Sequence, residues 1–437
     1  MNSCGSLESA PAETSAPGKE RLRQLVPGLP PRAFDVLALY SFVVLGLPDG
    51  ALGTAWPTVR KSFGAPLAYL GVVLLVGTAG SVASSSVAGT LFKRLGAGRT
   101  VMAAAVVGLL GALGVALSTT FAAFSASGGL IGVSAGLLDS TVNTSVAMTG
   151  RNRLLNMVHG AYGVGTSLAP LVVTACVLAG SWRGSYAVVG ACELALAGGW
   201  WVAARRFSSA RAMWAPGAPD VLAPHAGGQS PGAPGGAGGR GSGRPAEAPG
   251  PKRSLWPLVC LGLMVFMVYT GLEVSAGQWS PSFERSVLHM GPSATGLATF
   301  GYWGSLTLAR FGLAVPRRPA APLYVVRWGC MLALAGALLV WWRPVVTVAL
   351  VGLVVVGGAL AGVFPALVAL TPARVGAGLA HHVIGWQIGA ASVGGSVISA
   401  LCGVAFQHWG LGELGPALAA TAAVLVGTNL VLEKVAR

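Results

Sequence analysis

The chain is short of charge. Asp, Glu, Lys and Arg supply 9% of its 437 residues against 54% hydrophobic, whereas soluble domains carry about 25% charged residues. That shortage excludes an ordinary water-soluble domain and implies a polytopic protein whose packed mass is helices in the lipid bilayer. Cysteine is sparse too. Cys4, Cys176, Cys192, Cys260, Cys330 and Cys402 stand singly with no CxxC pair, which argues against a disulfide or thiolate-metal framework. No His/Cys cluster marks a metal, and no GxxxxGKS/T loop is present, so no metal, cofactor or nucleotide-hydrolysing engine is expected. No nucleophile–base arrangement points to an enzyme. Residues 1–31 lack an apolar core of signal-peptide type, so the first span is expected to direct the chain to the membrane.

The net charge is +15, but the basic residues sit in short clusters between apolar runs. That is the pattern of cytoplasmic membrane loops and not of a nucleic-acid-binding face.

Windows of ~20 apolar residues, enough to cross ~30 Å of hydrocarbon, fall at 33–57, 67–91, 100–118, 122–148, 154–179 and 184–204. A second set falls at 255–279, 293–313, 322–342, 345–369, 378–404 and 411–433. Residues 207–253 are dominated by Gly, Pro, Ala and Ser and read as a disordered linker. The expected organisation is a cytoplasmic tail over 1–31, a six-helix bundle over 32–206, the linker over 207–253 and a second six-helix bundle over 254–437. With both termini cytoplasmic, all but five of the 28 basic residues lie inside. The five are Arg60, Lys61, Arg183, Arg285 and Arg343, and this asymmetry sets the orientation.

The two sets look like repeats. Asp49 is followed by Gly53 and Pro57; Glu273 is followed, at the same spacings, by Gly277 and Pro281, with Trp56 and Trp279 near each end. This agrees with two parallel six-helix repeats about an axis along the membrane normal. Glycines at i, i+4 make small ridges at Gly128, Gly132 and Gly136, at Gly46 and Gly50, and at Gly385 and Gly389, where helices can approach closely.

Four acids fall within spans: Asp49, Asp139, Glu193 and Glu273. A charge at bilayer depth costs roughly 2.5–3.5 kcal/mol on insertion scales, which makes such residues functional-site candidates. Asp49 lies roughly 20–24 Å from the start of the first span, between Pro48 and Gly50. It reads as a proton site, or else as an acid snorkelling outward or capping a broken helix. Asp139 and Asn143 are i, i+4 on one face and together offer acceptors and donors to a polar solute; the bland alternative is a structural pair between Asp139 and a base. Glu273 suits an outer gate or structural pairing, and Glu193, without polar company on its helix, reads as structural. Asn156 and His159 share a face of the fifth span, where His159 could shuttle protons or hold a fixed hydrogen bond. Trp303, Trp386 and Gln387 lie well inside spans and could line a solute path or fill the core. Trp56, Trp182 and Trp279 sit at the depth of interfacial anchors.

The loop Gly89-Thr90-Leu91-Phe92-Lys93-Arg94-Leu95-Gly96-Ala97-Gly98-Arg99 resembles the loop motif G-x-L-x-D-R-x-G-R of the major facilitator superfamily, with Lys93 in the aspartate position. A first-span acid followed eight residues on by proline, and a fourth-span acid followed four residues on by Asn, resemble the fucose permease branch of proton symporters. The resemblance implies that Asp49 carries the proton and that Asp139 links proton and solute. His159 and Tyr162 open the fifth span with residue types that differ from the permease and leave the solute open.

The expectation is an all-α membrane protein of twelve helices with the major facilitator fold, resident in the cell membrane as a monomer. It would move a sugar or similar small polar solute with protons by alternating access. Asp49 and Asp139 would exchange the proton, and Asn143, His159, Tyr162, Glu273, Trp303, Trp386 and Gln387 would form the solute path. The rivals are a proton-coupled exporter of a drug or metabolite and a non-transporting membrane sensor or scaffold. Exporters carry a G-P-x-x-G-G element on the fifth span; Ala169-Pro170 here lacks the glycine pair.

Overall fold

The computed structural model describes residues 31–149, 151–206, 255–314 and 320–436, and no strand occurs among them. Six helices come first: α1 (Pro31–Phe63), α2 (Tyr69–Leu95), α3 (Ala97–Leu117), α4 (Phe121–Met148), α5 (Asn152–Leu178) and α6 (Arg183–Arg206). Six spans follow: α7 (Trp256–Ser286), α8 (Pro292–Ala314), α9 (Pro322–Trp342), α10 (Val346–Val375, interrupted at residues 361–362), α11 (Ala377–Trp409) and α12 (Leu414–Val435). Residues 1–30 of the expected tail and the linker at 207–253 lie outside the described residues. Helix ends overrun the apolar windows, most at α1 and α7.

Eleven of these spans are long and apolar enough to cross a membrane, which makes the chain a multi-pass integral membrane protein. The twelfth, α8, is long enough but carries Thr299, Tyr302, Trp303, Thr307 and Arg310. The first four are buried, and Arg310 is paired within the bundle. The span weakest in hydropathy is therefore the one that turns its polar residues inward. Side chains left on the outside, such as Leu110, Leu194, Leu308 and Leu401, are apolar, as a lipid-facing surface requires.

Glycine ridges set the tightest helix crossings. A Cβ on Gly46 or Gly50 would collide with backbone at Tyr162 and Thr166, so α1 and α5 touch backbone to backbone. Gly132 and Gly136 meet Gly77 and Ser81 in the same way and seat α4 on α2. The expected third ridge does not pack: Gly385 and Gly389 of α11 have nothing within 4 Å of a Cβ position. The two sets of helices touch along α1 and α7, where Gly53 meets Gln278, along α5 and α8, where Gly163 meets Thr307, and at one end along α2 and α11. Gly71 lies against Ala400, its ideal Cβ 2.6 Å from the Ala400 Cα, and the Leu67 amide donates to Gln407 Oε1 at 2.6 Å. At the other end, where α1 starts and α12 finishes, the Gly385 and Gly389 face of α11 meets nothing within 4 Å of a Cβ position.

The same closed end holds the tryptophans expected as interfacial anchors. Trp56, Trp182 and Trp279 are instead interior, exposed by 0%, 2% and 0%. Each indole N–H finds an internal acceptor: Leu67 O at 3.3 Å, Ser62 Oγ at 3.0 Å and Ser399 O at 3.0 Å. With its polar atom satisfied inside, an indole gains more from packing than from the headgroup region.

Candidate functional site

A central cavity of about 330 Å³ lies between the two sets of helices. α1 supplies Pro48 and Asp49, α4 supplies Ala135 and Leu138, α5 supplies Tyr162, and α7 and α8 supply Glu273 and Trp303. Asp49 is exposed to this space although it sits far from either end of α1. α1 runs unbroken through Pro48 and Pro57, so Asp49 caps no broken segment. Its Oδ2 accepts a hydrogen bond from Tyr162 Oη at 2.7 Å. Gln278 Nε2, from the second set of helices, donates to the Asp49 carbonyl at 2.8 Å. That approach depends on Gly53, whose ideal Cβ would stand 2.7 Å from Gln278 O.

Glu273 faces the cavity from the opposite wall. Arg310 Nη2 lies 3.5 Å from its Oε1, Tyr269 Oη donates to its Oε2, and Tyr302 Oη donates to its backbone carbonyl at 2.8 Å. Glu273 is therefore paired with Arg310 within the cavity wall. Tyr162 lines the cavity together with Asp49 and Glu273. The cavity thus holds an acid–phenol pair of the first half and an ion pair of the second.

Sequence reasoning missed Arg310, Tyr269 and Gln278. Arg310 was readable: it is a lone base inside the apolar run Leu306–Leu313, and an intramembrane base is a functional candidate on the same energetic ground as an acid. Counting it with the cytoplasmic loops hid it. Tyr269 and Gln278 carry no charge anomaly, and only packing reveals them.

The remaining candidates divide. Asn143 Nδ2 donates to Asp139 Oδ1 at 3.0 Å, so the two groups expected to serve a solute share a face and bond to each other. Asp139 is half-buried but is not in the cavity wall, which on α4 passes through Ala135 and Leu138. It is in none of the ion pairs among the described residues, which join Arg151 to Asp35, Arg310 to Glu273 and Arg327 to Glu433. Trp303 is in the wall, 3% exposed, with its Nε1 lacking a partner. His159 is exposed and edge-on to Phe42 at 5.4 Å. Trp386 and Gln387 stand apart from the cavity: Trp386 stacks on Trp256 with ring centroids 6.4 Å apart, and Gln387 Oε1 accepts from Thr371 at 3.0 Å, tying α10 to α11. Glu193, read as structural, lines the cavity while 4% exposed, and its Oε2 has no partner.

The comparisons with known proteins agree with this architecture. The sequence pattern of the Major Facilitator Superfamily matches residues 38–399. No curated protein matches the chain by sequence. Among solved structures the chain is similar to a D-xylose-proton symporter, with TM-score 0.64 and 14% identity over 90% of this chain and 97% of that one. It is similar to a mutant form of the nucleoside transporter NupG, at 0.65 and 14% over 91% and 99%. It also resembles the inward-open xylose transporter XylE from E. coli, at 0.64 and 13% over 90% and 95%. Identities this low speak for a shared fold alone. With twelve spans, a cavity between two six-helix sets and a family pattern running through both of them, the chain belongs to the Major Facilitator Superfamily.

Proposed function

We propose that this transporter moves a sugar or similar small polar solute together with protons by alternating access, with Asp49 as the proton-exchanging group. The observation that carries the reading is the position of Asp49. It faces the cavity, is held by Tyr162 at 2.7 Å, and meets no base of its own among the described ion pairs. A charge-assisted hydrogen bond is about twice as strong as a neutral one. Protonation of Asp49 therefore loosens its hold on Tyr162, which is then free to turn toward Glu273 and Arg310 or toward solute. A proton bound on the first half thereby changes a contact with the second, and such differential contacts are what shift a two-state equilibrium.

A cavity of about 330 Å³ lies at the small end of ligand pockets, which run ~300–1,000 Å³, and suits a solute of monosaccharide size. Its carboxylates, hydroxyls and indole supply acceptors, donors and a stacking face. The folds it resembles include a D-xylose-proton symporter and a nucleoside transporter, both named for small polar cargo. Asp139 with Asn143 serves as the second coupling acid on the same helix set, reached when the halves rock. The Lys and Arg distribution supports cytoplasmic termini, which would make the Leu67–Gln407 end the outer one. A monomer holds the complete site.

The test is uptake into proteoliposomes under an imposed pH gradient, across a panel of monosaccharides and nucleosides. Accumulation should follow the gradient, and Asp49→Asn should abolish accumulation while leaving solute exchange at equal pH. Full gradient-driven accumulation by Asp49→Asn would refute the proton assignment, and outward pumping alone would make the protein an exporter.

A further inference from the structure

The wall of the central cavity carries three carboxylates, Asp49, Glu193 and Glu273, and no Lys, Arg or His among the described residues. Glu273 is balanced by Arg310, which lies 3.5 Å away and is not itself part of the wall. Asp49 has Tyr162 and, on the reading above, the coupling proton. Glu193 has neither. It takes part in none of the ion pairs among the described residues, is 4% exposed, and leaves its Oε2 without a hydrogen-bond partner. Tyr40 of α1 reaches the same stretch of α6, but its hydroxyl donates to the Cys192 carbonyl at 3.1 Å. An acid kept for packing has a fixed partner, because burying a carboxyl without one is costly.

The sequence makes room for this carboxyl. Gly108 of α3 stands opposite, and a Cβ there would fall 2.5 Å from Glu193 Oε1 and 2.7 Å from Ser134 Oγ. A side chain on α3 would take the place that the carboxyl occupies. Ser134 belongs to α4 and lines the cavity as well, so a carboxyl and a hydroxyl from two helices come together at one part of the wall. Both accept hydrogen bonds, and an ammonium group has three donors and no acceptor. Tyr186 lies two turns before Glu193 on the same face of α6. It lines the wall with Phe124, their ring centroids 6.3 Å apart, and aromatic rings attract cations. A neutral hydroxyl bonds to a carboxylate but leaves its charge in place. A protonated amine bonds and balances the charge at once, which is the stronger contact.

We propose that the solute carries a protonated amine, and that Glu193 and Ser134 seat its ammonium group while Asp49 holds the proton. Amino sugars and similar small hydroxylated amines match both this charge and the volume of about 330 Å³. The proposal rests on reading the cavity as the site of a small polar solute, and narrows that solute to a cationic one.

The test is equilibrium binding to the purified full-length protein, read as a rise in Tm at slightly acidic pH with no gradient present. The probes are glucosamine, galactosamine, mannosamine and ethanolamine, each beside its uncharged N-acetyl form. At least one amine should raise Tm saturably, and its N-acetyl form should not. Glu193→Gln should raise the half-saturating amine concentration about tenfold or more, as expected for a lost hydrogen bond to a charged group. Ser134→Ala, a milder change that serves if Glu193→Gln does not fold, should raise it roughly threefold. No response to any of the amines, an equal response to the N-acetyl forms, or an unchanged half-saturating concentration in the variants that fold would overturn the proposal. Because no gradient is used, amine binding without proton-driven accumulation would support this seat and refute only the coupling at Asp49. Accumulation of neutral sugars with no amine binding would keep the transport reading and overturn the seat.

Discussion

Tyr162 Oη donates to Asp49 Oδ2 across 2.7 Å, and glycines on α1 are the reason the two can meet. Gly46 and Gly50 bring α1 onto the α5 backbone at Tyr162 and Thr166, so a phenol on α5 reaches an acid one turn along α1. If this bond ties proton binding to the second half, Tyr162→Phe should leave the fold intact and cut gradient-driven accumulation. Hydrogen bonds to charged groups contribute ~1.5–3 kcal/mol, so a loss of ten-fold or more is expected. Unchanged accumulation in proteoliposomes would show that Tyr162 only fills space.

The α1–α5 crossing itself should be intolerant of side chains. Gly50→Val would push backbone against backbone, and overpacking costs ~1–3 kcal/mol, read as a lower Tm of the purified protein. Gly385→Ala is the matched control: it meets nothing within 4 Å and should melt no lower. Equal behaviour of the two variants would mean that the crossing is looser than described.

Arg310 and Glu273 should depend on each other. Their side chains are 20% and 12% exposed, so Arg310→Met leaves a poorly solvated carboxylate and should destabilise by ~3–5 kcal/mol. Adding Glu273→Gln should recover much of that loss, because the stranded charge is gone. Additive losses in thermal melts of the single and double variants would argue against the pair.

The closed end can be locked chemically. In a background with the chain's own cysteines replaced, Leu67→Cys with Gln407→Cys should be joined by a short bifunctional methanethiosulfonate, since the Leu67 amide and the Gln407 side chain meet there. Cross-linking should stop solute exchange, and reduction should restore it. Exchange that continues in fully cross-linked protein would show that this end does not open during transport.

The site was legible where charge and hydrocarbon conflict. Asp49, Glu273 and the Asp139–Asn143 pair stand out because each sets a polar group inside an apolar run, and local helix geometry alone puts Asn143 and Asp139 on one face. Arg310 was legible by the same rule but fell near a window edge, where it passed for a loop residue. Tyr162 was picked out only as part of a polar helix start. Trp386 and Gln387 carry the same sequence signal as Trp303, yet only Trp303 is in the cavity wall, because depth in a span says nothing about which way a residue faces.

The sequence by itself determined the membrane, the helices and the count of spans, because hydropathy acts through neighbours along the chain and lipid leaves helices little alternative. It also marked the acids, because an ionisable group inside an apolar run stands out whatever partner it finds. The tertiary structure alone decided which faces meet: that Asp49 looks into the cavity toward Tyr162, that Glu273 answers to Arg310, that Trp56 and Trp279 are interior, and that Gly385 and Gly389 touch nothing. Those outcomes depend on contacts between residues tens to hundreds of positions apart, which no local pattern encodes.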